Sequence, residues 1–289
     1  MTTPAERTHS PELNAANASE RRRIEEQSAL AHEEKLIRLE RDGRGVITLT
    51  LNRPQAYNAL SEALLTQLQH ELDTLETDLT ARVLVLAGAG KAFCAGHDLR
   101  EMRAHPSPEY YQRLFTQCSR VMLTLRRLPI PVIARVHGIA TAAGCQLVAQ
   151  CDLAVAASDA RFAVSGVNLG LFCSTPGVPL SRNVPLKQAF EMLVTGDFID
   201  AAAARERGLV NRVAPPEALD AELEGLVAGI LRKPRVAIAL GKGLFYRQAE
   251  LGFAAAYEAA SRTMAANMME SIALEGVQAF LEKRPPRWD

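Results

Sequence analysis

The sequence predicts an α/β protein that ends in a helical subdomain. In the first part of the chain, short apolar runs of strand length alternate with amphipathic segments of helical period, which is typical of α/β folds. From about residue 184 onward, helical patterns dominate. With 289 residues, 48% of them hydrophobic, the chain is long enough to bury a sizeable core. We expect an N-terminal extension over residues 1–34, a core over 35–215 and a helical subdomain over 216–289.

A β-hairpin is predicted at the start of the core. Residues 1–34 are rich in Ala, Glu and Arg and have no strong apolar stripe, so we expect them to form a mobile or partly helical extension. The pattern changes at Lys35. Segments 36–40 and 46–51 alternate apolar with polar residues on either side of the turn RDGRG, which favours a hairpin with glycine at the turn.

Two amphipathic helices and three apolar strands should follow the hairpin. Ser61 is a candidate N-cap for a helix whose leucines repeat with the helical period. A second helix, with an apolar face between Leu114 and Leu125, should end before Pro129, whose ring disfavours further helix. The predicted strands are 83–88, 131–138 and 152–157.

The remainder of the chain is predicted to be mostly helical. Its predicted helices are 186–194, 201–207, 219–231 and two long patterns that end near Leu281. The long patterns carry Phe253, Met264, Met268 and Phe280, among more apolar side chains than a lone helical tail should expose. We therefore expect this surface to be buried between subunits.

Composition excludes several classes of function. The 33 basic residues balance the 33 acidic ones, so net charge predicts no binding to nucleic acid or to an anionic membrane. The five cysteines have no paired metal spacing and suit buried reduced thiols, and no metal site is expected. Neither a P-loop nor a dinucleotide motif is present. Because we find no apolar signal stretch and no segment of membrane-spanning length, we expect a cytoplasmic location.

Two glycine-containing turns are candidates for a ligand site. They are AFCAGHDL at residues 92–99 and HGIATAAGCQL at residues 137–147. Small side chains let a ligand approach the main chain, and a helix that begins after such a turn points its positive end at an oxyanion. The alternative is that small residues only permit tight packing, and either turn alone leaves both interpretations open.

Several motifs in order along the chain carry a family resemblance. AFCAGHDLREM, HGIATAAGCQLVAQCD and FAVSGVNLGLF, with LNRPQAYNAL and the C-terminal FLEKRPPRW, resemble the enoyl-CoA hydratase/isomerase, or crotonase, superfamily over about residues 36–289. AAGCQLVAQCD together with GVNLGLFCSTPG is most similar to the enoyl-CoA hydratase domain-containing protein 3 group. The resemblance implies a crotonase (ClpP-like) spiral of ββα units with a helical C-terminal trimerisation subdomain, assembled as trimers or dimers of trimers.

The resemblance also implies an oxyanion hole without the usual acids. In this superfamily two backbone N–H groups hold the thioester oxygen, and the matching residues are His97 and Ala143. The two glutamates of the hydratases fall at Gln146 and Gly166, and a carboxylate of other branches falls at Ser174. Gln146 has no titratable proton and Gly166 has no side chain, so we do not expect hydration by a glutamate pair.

CoA, as part of the substrate, is the only cofactor-like group that the resemblance implies. It assigns the adenine end to Gln55, Ala56 and Tyr57. It assigns the pantetheine arm to His97, Asp98, Leu99 and Arg100, and it assigns contacts from a second subunit to Phe280 and Lys283.

These residues also have plainer interpretations. Asp98 fits a helix cap, Asp152 a structural role at a strand start, and Cys173 a buried thiol. Phe280 and Lys283 could instead lie on a solvated terminal helix. His97 could line a pocket without taking part in chemistry, and a covalent route through Cys173 or Ser174 would need an adjacent base.

We therefore expect an acyl-CoA thioester-binding homo-oligomer that acts on acyl-CoA through an oxyanion hole, in fatty-acid or related metabolism. The expected reaction class is that of a lyase, an isomerase or a thioester hydrolase. The alternative is a non-catalytic acyl-CoA binder or oligomeric scaffold. Turnover of acyl-CoA separates the two hypotheses, because a shared fold does not transmit an activity.

Overall fold

A twisted, mainly parallel sheet organises the fold. The computed structural model describes residues 35–104 and 106–288, and within them six strands form the central sheet in the order β1-β2-β3-β4-β6-β9. A smaller sheet of the same part of the chain has the order β5-β7-β8. The strands are β1 (Ile37–Arg41), β2 (Val46–Leu51), β3 (Val83–Gly88), β4 (Val132–Val136), β5 (Ile139–Thr141), β6 (Leu153–Ala157), β7 (Arg161–Ala163), β8 (Ile199–Asp200) and β9 (Arg212–Ala214). The extension predicted over residues 1–34 lies outside the described residues.

The predicted hairpin is confirmed at the edge of the central sheet. β1 pairs antiparallel with β2, with Ile37 opposite Leu51. Asp42 holds the turn, because its Oδ1 accepts the backbone N–H groups of Arg44 (2.8 Å) and Val46 (3.0 Å). From β2 to β9 the neighbouring strands are parallel, so their carboxyl ends lie along one edge of the sheet.

Helices cover both faces of the sheet and continue to the C-terminus. They are α1 (Glu62–Glu76), α2 (Leu99–Ala104), α3 (Pro108–Arg127), α4 (Ala143–Gln150), α5 (Ser174–Asn183), α6 (Leu186–Thr195), α7 (Ala201–Glu206), α8 (Leu219–Leu231), α9 (Arg235–Gln248), α10 (Phe253–Met268) and α11 (Ser271–Leu281). The predicted cap of α1 is confirmed, because Ser61 Oγ accepts the N–H of Leu64 at 3.2 Å.

Successive side chains of a parallel strand point to opposite faces of the sheet, and this divides the interior into two cores. Leu84 and Leu86 of β3 enter the larger core with the leucines of α1, whereas Val83 and Val85 enter a second core against α8. Parallel strands are usually covered on both faces, and this one is apolar on both. Because the strands are buried on both faces, the loops at their carboxyl ends begin from fixed positions.

The C-terminal part departs from the sequence-based prediction in one respect. Three helices, α9 to α11, stand where two long patterns were predicted. Gly252 is the N-cap of α10 and divides the first pattern.

Helix α5 was not predicted, because Pro179 lies inside it and proline disfavours helix interiors.

A buried ion pair joins the C-terminal helices to the central sheet. Lys242 Nζ of α9 donates to Asp152 Oδ2 at 2.7 Å and to the carbonyls of Leu125 (3.0 Å) and Ile130 (2.9 Å). Asp152 Oδ2 also accepts the N–H of Val132 at 2.6 Å. The two side chains are 7% and 13% exposed, and burial lowers the pKa of Lys242 against the opposing effect of the Asp152 carboxylate. The structural role predicted for Asp152 is confirmed.

Replacing Lys242 by methionine should strongly destabilise the protein. The change leaves Asp152 buried without its cation, and breaking a buried pair in this way costs about 3–5 kcal/mol. Arg120→Met is the matched control, because the Arg120–Asp73 pair has side chains 66% and 43% exposed. Exposed pairs contribute about 0–1 kcal/mol. Denaturant unfolding at one protein concentration measures both changes, and similar losses for the two variants would contradict this account.

Candidate active site

Two backbone segments come together at the N-terminal end of α4. The N–H of Cys94 donates to the carbonyl of Ile139 at 3.1 Å, and the N–H of Thr141 donates to the carbonyl of Cys94 at 3.0 Å. The segment that follows β3 therefore lies along β5. Gly144 permits this contact, because a β-carbon there would lie 2.0 Å from the carbonyl oxygen of Cys94. The two glycine-containing turns predicted as a ligand site are thus in direct contact.

The backbone N–H of His97 points away from its neighbouring strand segment. Leu60 donates its N–H to the carbonyl of Gly96 at 2.8 Å and accepts the N–H of Asp98 at 3.1 Å. Because successive N–H groups of an extended segment alternate in direction, the N–H of His97 faces the opposite side. Within the described part of the chain, no hydrogen-bond partner is found for it.

The backbone N–H of Ala143 is the second free donor. Ala143 is the first residue of α4, and the first N–H groups of a helix have no partner within it. Ala142 precedes it at φ 51° and ψ −121°, a strained conformation for a residue other than glycine, and turns the chain sharply from β5 into α4. A β-carbon at Gly96 would lie 3.2 Å from the nitrogen of Ala143 and 2.9 Å from the β-carbon of Ala142. The two donor segments therefore touch at Gly96.

A cavity of about 280 Å³ opens beside these donors. Its walls come from α2, α3, α4 and the loop between β7 and α5, and they are mainly apolar. The lining residues are Ala95, His97, Leu99, Met102, Phe115, Ala142, Ala143, Ser165, Gly166, Leu169, Leu171, Phe172, Cys173, Ser174, Thr175 and Pro176. No carboxylate is among these residues. A ligand in the cavity therefore meets two candidate N–H donors in an environment that otherwise favours apolar groups.

The two titratable side chains of the lining are both neutral at neutral pH. Burial lowers the pKa of His97 to about 4, and its ring packs edge-on against Phe115 with 5.3 Å between ring centroids. Its Nε2 is buried without a hydrogen-bond partner among the described residues. Burial raises the pKa of Cys173, whose Sγ accepts the N–H of Gly166 at 3.2 Å. A protonated thiol is a weak nucleophile, which favours the interpretation of Cys173 as a buried structural thiol.

The structure separates the two positions where the resemblance placed glutamates. Gln146 lies on α4, is 3% exposed and does not line the cavity, and its Oε1 has no partner among the described residues. Gly166 does line the cavity. A β-carbon there would lie 2.4 Å from the carbonyl oxygen of Leu171 and 2.7 Å from Cys173 Sγ, so the loop leaves no room for a side chain in that direction.

The remaining predicted residues fall into three groups. Leu99 and Ser174 line the cavity. Gln55, Ala56 and Tyr57 form a turn beside it, because the carbonyl of Tyr57 accepts the N–H of Ala95 at 3.0 Å. The others do not line the cavity: they are Asp98, Arg100, Phe280 and Lys283. Phe280 and Lys283 are exposed residues at the C-terminal end of the chain, and Asp98 caps α2 through Arg100 N–H (3.1 Å) and Glu101 N–H (3.3 Å).

Asn58 holds the loops beneath the cavity and was missed by the sequence analysis. Its side chain is fully buried, and Nδ2 donates to the carbonyls of Ala89 (2.9 Å) and Ala92 (2.8 Å). Its Oδ1 accepts the N–H of Arg53 at 2.9 Å. The backbone φ is 55°, a conformation in which asparagine is enriched. The asparagine in the segment LNRPQAYNAL was therefore the sequence signal that could have identified this turn residue.

Comparison with known proteins identifies the family. The sequence profile of the enoyl-CoA hydratase/isomerase family matches residues 41–289, and the chain belongs to that family. Enoyl-CoA hydratase domain-containing protein 3 of Xenopus laevis is 43% identical over 244 residues, which cover 84% of this chain and 83% of the relative. The human protein of that name is also 43% identical, over 246 residues covering 84% and 80% of the two chains.

Solved structures agree in fold. An enoyl-CoA hydratase from Mycobacterium smegmatis has a TM-score of 0.88 and 66% identity, covering 88% of this chain and 99% of that one. Human enoyl-CoA hydratase domain-containing protein 3 has a TM-score of 0.85 and 41% identity, covering 88% and 100%. The predicted crotonase fold, with its α/β core and helical C-terminal region, is confirmed, and so is the resemblance to the domain-containing protein 3 group.

The predicted cytoplasmic location is wrong by the same comparison. The relatives of that group from frog, rat, mouse and human are all named mitochondrial proteins. The inference failed because the absence of an apolar signal argues only against secretion. Mitochondrial targeting segments are amphipathic and rich in arginine, so hydropathy does not detect them.

The part of the chain that the structure describes holds neither a metal-binding cluster nor a membrane-spanning helix. Over residues 35–104 and 106–288, no group of three His, Cys, Asp or Glu side chains is arranged to hold a metal ion. No helix in the same ranges is long and apolar enough to cross a membrane.

Gly166→Ala should lower the free energy of unfolding by about 1–3 kcal/mol, the usual effect of overpacking a filled space. The reason is the contact of the new methyl group with Leu171 and Cys173. Gly43→Ala is the control, because a β-carbon at Gly43 meets nothing within 4 Å. That change should stay within about 0.5 kcal/mol of the parent. Equal stability of the two variants in denaturant unfolding would show that the loop at Gly166 is open.

Proposed function

We propose that this protein binds an acyl-CoA thioester and places its carbonyl oxygen between the backbone N–H groups of His97 and Ala143. The observation that carries the proposal is the pair of unpartnered N–H groups brought together at Gly96 beside an apolar cavity. An acceptor on a ligand in the cavity would supply the hydrogen bonds that these N–H groups do not make within the described residues. Members of this family bind acyl-CoA, which supports the same ligand.

The cavity favours an uncharged acyl group. With His97 neutral and Cys173 protonated, the lining offers no ion at neutral pH to pair with a charged substituent. Burying an unpaired charge is strongly unfavourable. The CoA part would extend past the turn of Gln55 to Tyr57, which adjoins the donor segment at Ala95.

An enzymatic role on acyl-CoA, in fatty-acid or related metabolism, rests on the same donors. Preorganised N–H groups stabilise the negative charge that a thioester oxygen gains, and one such donor is worth about 3 kcal/mol of transition-state stabilisation. A second candidate, a non-catalytic acyl-CoA binder, is favoured by one observation. No lining side chain is a carboxylate that could transfer protons.

Binding should depend on the backbone at Ala143 more than on the side chain of Gln146. Ala143→Pro removes the N–H at a position where helices accept proline, the first of the helix. Ala143→Val keeps the N–H but crowds it, and Gln146→Ala tests the amide. We expect calorimetry with butyryl-CoA to show weaker binding for both Ala143 variants and near-parental binding for Gln146→Ala, with folding checked by circular dichroism. Loss of binding only in Gln146→Ala would mean that the ligand lies elsewhere.

Hydration of crotonyl-CoA should be very slow. Each acid/base group that a hydratase loses typically costs about 100-fold to 10,000-fold in rate. Turnover comparable to that of an ordinary hydratase would contradict this prediction. A panel of acyl-, enoyl- and hydroxyacyl-CoAs followed by mass spectrometry separates the two candidate functions: conversion of any member supports an enzyme, whereas binding without conversion supports the non-catalytic binder.

The C-terminal helices support a homo-oligomer. Helices α10 and α11 have one buried residue each, Ala259 and Ala279, and expose large apolar side chains on their remaining surface. The most exposed are Phe253 (83%), Met264 (72%) and Phe280 (82%), and Met269 (77%) is exposed between the two helices. A surface of this kind is typical of an interface between subunits. We propose a trimer or a dimer of trimers, in which Phe280 and Lys283 would approach the CoA of a neighbouring subunit.

Sedimentation velocity at micromolar concentration should show a trimer or hexamer. Phe253→Asp with Met264→Asp, both at exposed positions, should shift the protein towards smaller species without loss of helical content. A parent protein that sediments as a stable monomer would overturn the proposed assembly and the contact from Lys283.

A further inference from the structure

We propose that Arg53 and Asp98 act together as a positioning pair that fixes the direction of the His97 N–H towards the thioester oxygen. This inference rests on the proposed function, because it concerns the same donor. Arg53 Nη2 lies 2.9 Å from Asp98 Oδ2, and the two side chains are only 19% and 14% exposed. Neither residue lines the cavity, so their action on a ligand would pass through the backbone of His97.

Both carboxylate oxygens of Asp98 and its backbone N–H are hydrogen-bonded. Its Oδ2 accepts from Arg53, and its Oδ1 accepts the N–H groups of Arg100 (3.1 Å) and Glu101 (3.3 Å) at the start of α2. Its own N–H donates to the carbonyl of Leu60. Asp98 and His97 share a peptide bond, so fixing Asp98 limits the rotation available to His97.

Arg53 connects Asp98 to the segment of Ala59 and Leu60, which pairs with the backbone around His97. Its Nη1 donates to the carbonyl of Ala59 at 2.6 Å, one residue before Leu60, which bonds to both neighbours of His97. Its backbone N–H donates to Asn58 Oδ1 at 2.9 Å. One guanidinium thus spans the two segments whose pairing orients the His97 N–H. Lysine could not make both contacts with the same planar geometry.

The electrostatics agree with a persistent ion pair. Burial alone would raise the pKa of Asp98, but the hydrogen bonds from Arg53 and from the N–H groups of Glu101 and Arg100 outweigh it and hold the pKa below its usual value. Asp98 therefore stays ionised near neutral pH. Oxyanion-hole donors must be held within about 0.5 Å of the productive geometry to be effective. The pair is placed to supply that constraint.

A second pair in the same chain provides a matched control. Asp78 also accepts from an arginine, Arg41, and from two backbone N–H groups, those of Thr80 (2.8 Å) and Ala81 (3.1 Å). It precedes the amino end of β3, whereas the segment of His97 follows the carboxyl end of that strand. Asp78→Asn therefore repeats the chemistry of Asp98→Asn without altering the segment of His97.

The test uses para-dimethylaminocinnamoyl-CoA with the full-length protein. This push–pull thioester absorbs at longer wavelength when its carbonyl oxygen accepts hydrogen bonds, so the shift at saturation reports the donors themselves and not the affinity. Asp98→Asn keeps an acceptor for the cap of α2 but removes the charge. Arg53→Gln leaves the cap untouched and is the second variant should Asp98→Asn fail to fold.

We expect the parent protein and Asp78→Asn to show the full red shift. Asp98→Asn and Arg53→Gln should lose about half of it or more, because an N–H that is no longer aimed at the oxygen polarises the carbonyl less. The red shift of Arg53→Lys should lie between the shift of these two variants and that of the parent protein. A folded Asp98→Asn or Arg53→Gln variant with the parental shift would overturn the positioning role. So would an equal loss in Asp78→Asn, which would reveal a general effect on stability. A parent protein that binds the probe without any red shift would instead refute the proposed oxyanion hole.

Discussion

The close approach of the Gly96 turn to the Ala142–Ala143 turn is the constraint on which the candidate site depends. The N–H of Cys94 donates to Ile139 and the N–H of Thr141 donates to Cys94, and these bonds bring the two segments together. Gly96 and Gly144 leave the space that a side chain would fill. The strained backbone of Ala142 is maintained by this packing, as strained residues require surrounding structure that over-determines them. What results is a pair of N–H groups with no partner in the described chain. The positions of these N–H groups follow from main-chain geometry. They therefore do not depend on which side chains His97 and Ala143 carry.

Binding and proton transfer are separable in this architecture. The donors belong to the backbone and persist when side chains change, whereas acid/base chemistry needs particular side chains at particular places. Gln146 is buried and does not line the cavity, and Leu171 and Cys173 occupy the direction that a side chain at residue 166 would take. Reintroducing a glutamate at residue 166 would thus require the loop to move. The proposed oxyanion site, in surroundings without the family's glutamates, is consistent with one fold serving different activities.

Sequence reasoning succeeded where local chemistry determined the structure. The hairpin before Leu51, the Ser61 cap and the strand Val83–Gly88 have strong local patterns, and the motifs around His97 and Ala143 identified the family. Three-residue strands such as β7 were missed because they are too short to show alternation. The cavity wall formed by Leu169, Leu171 and Phe172 was missed because it depends on distant elements meeting. The Arg53–Asp98 pair likewise joins residues far apart in the chain.

Vibrational spectroscopy of a bound thioester would test the central claim most directly. Butyryl-CoA labelled with ¹³C at the thioester carbonyl gives an isotope-difference infrared band for that bond alone. If the N–H groups of His97 and Ala143 hold the oxygen, the carbonyl stretch of the bound ligand should move to lower wavenumber than in buffer, because hydrogen bonding weakens the C=O bond. A stretch at saturation that equals or exceeds its value in buffer would contradict the oxyanion hole and the proposed position of the thioester between the two N–H groups.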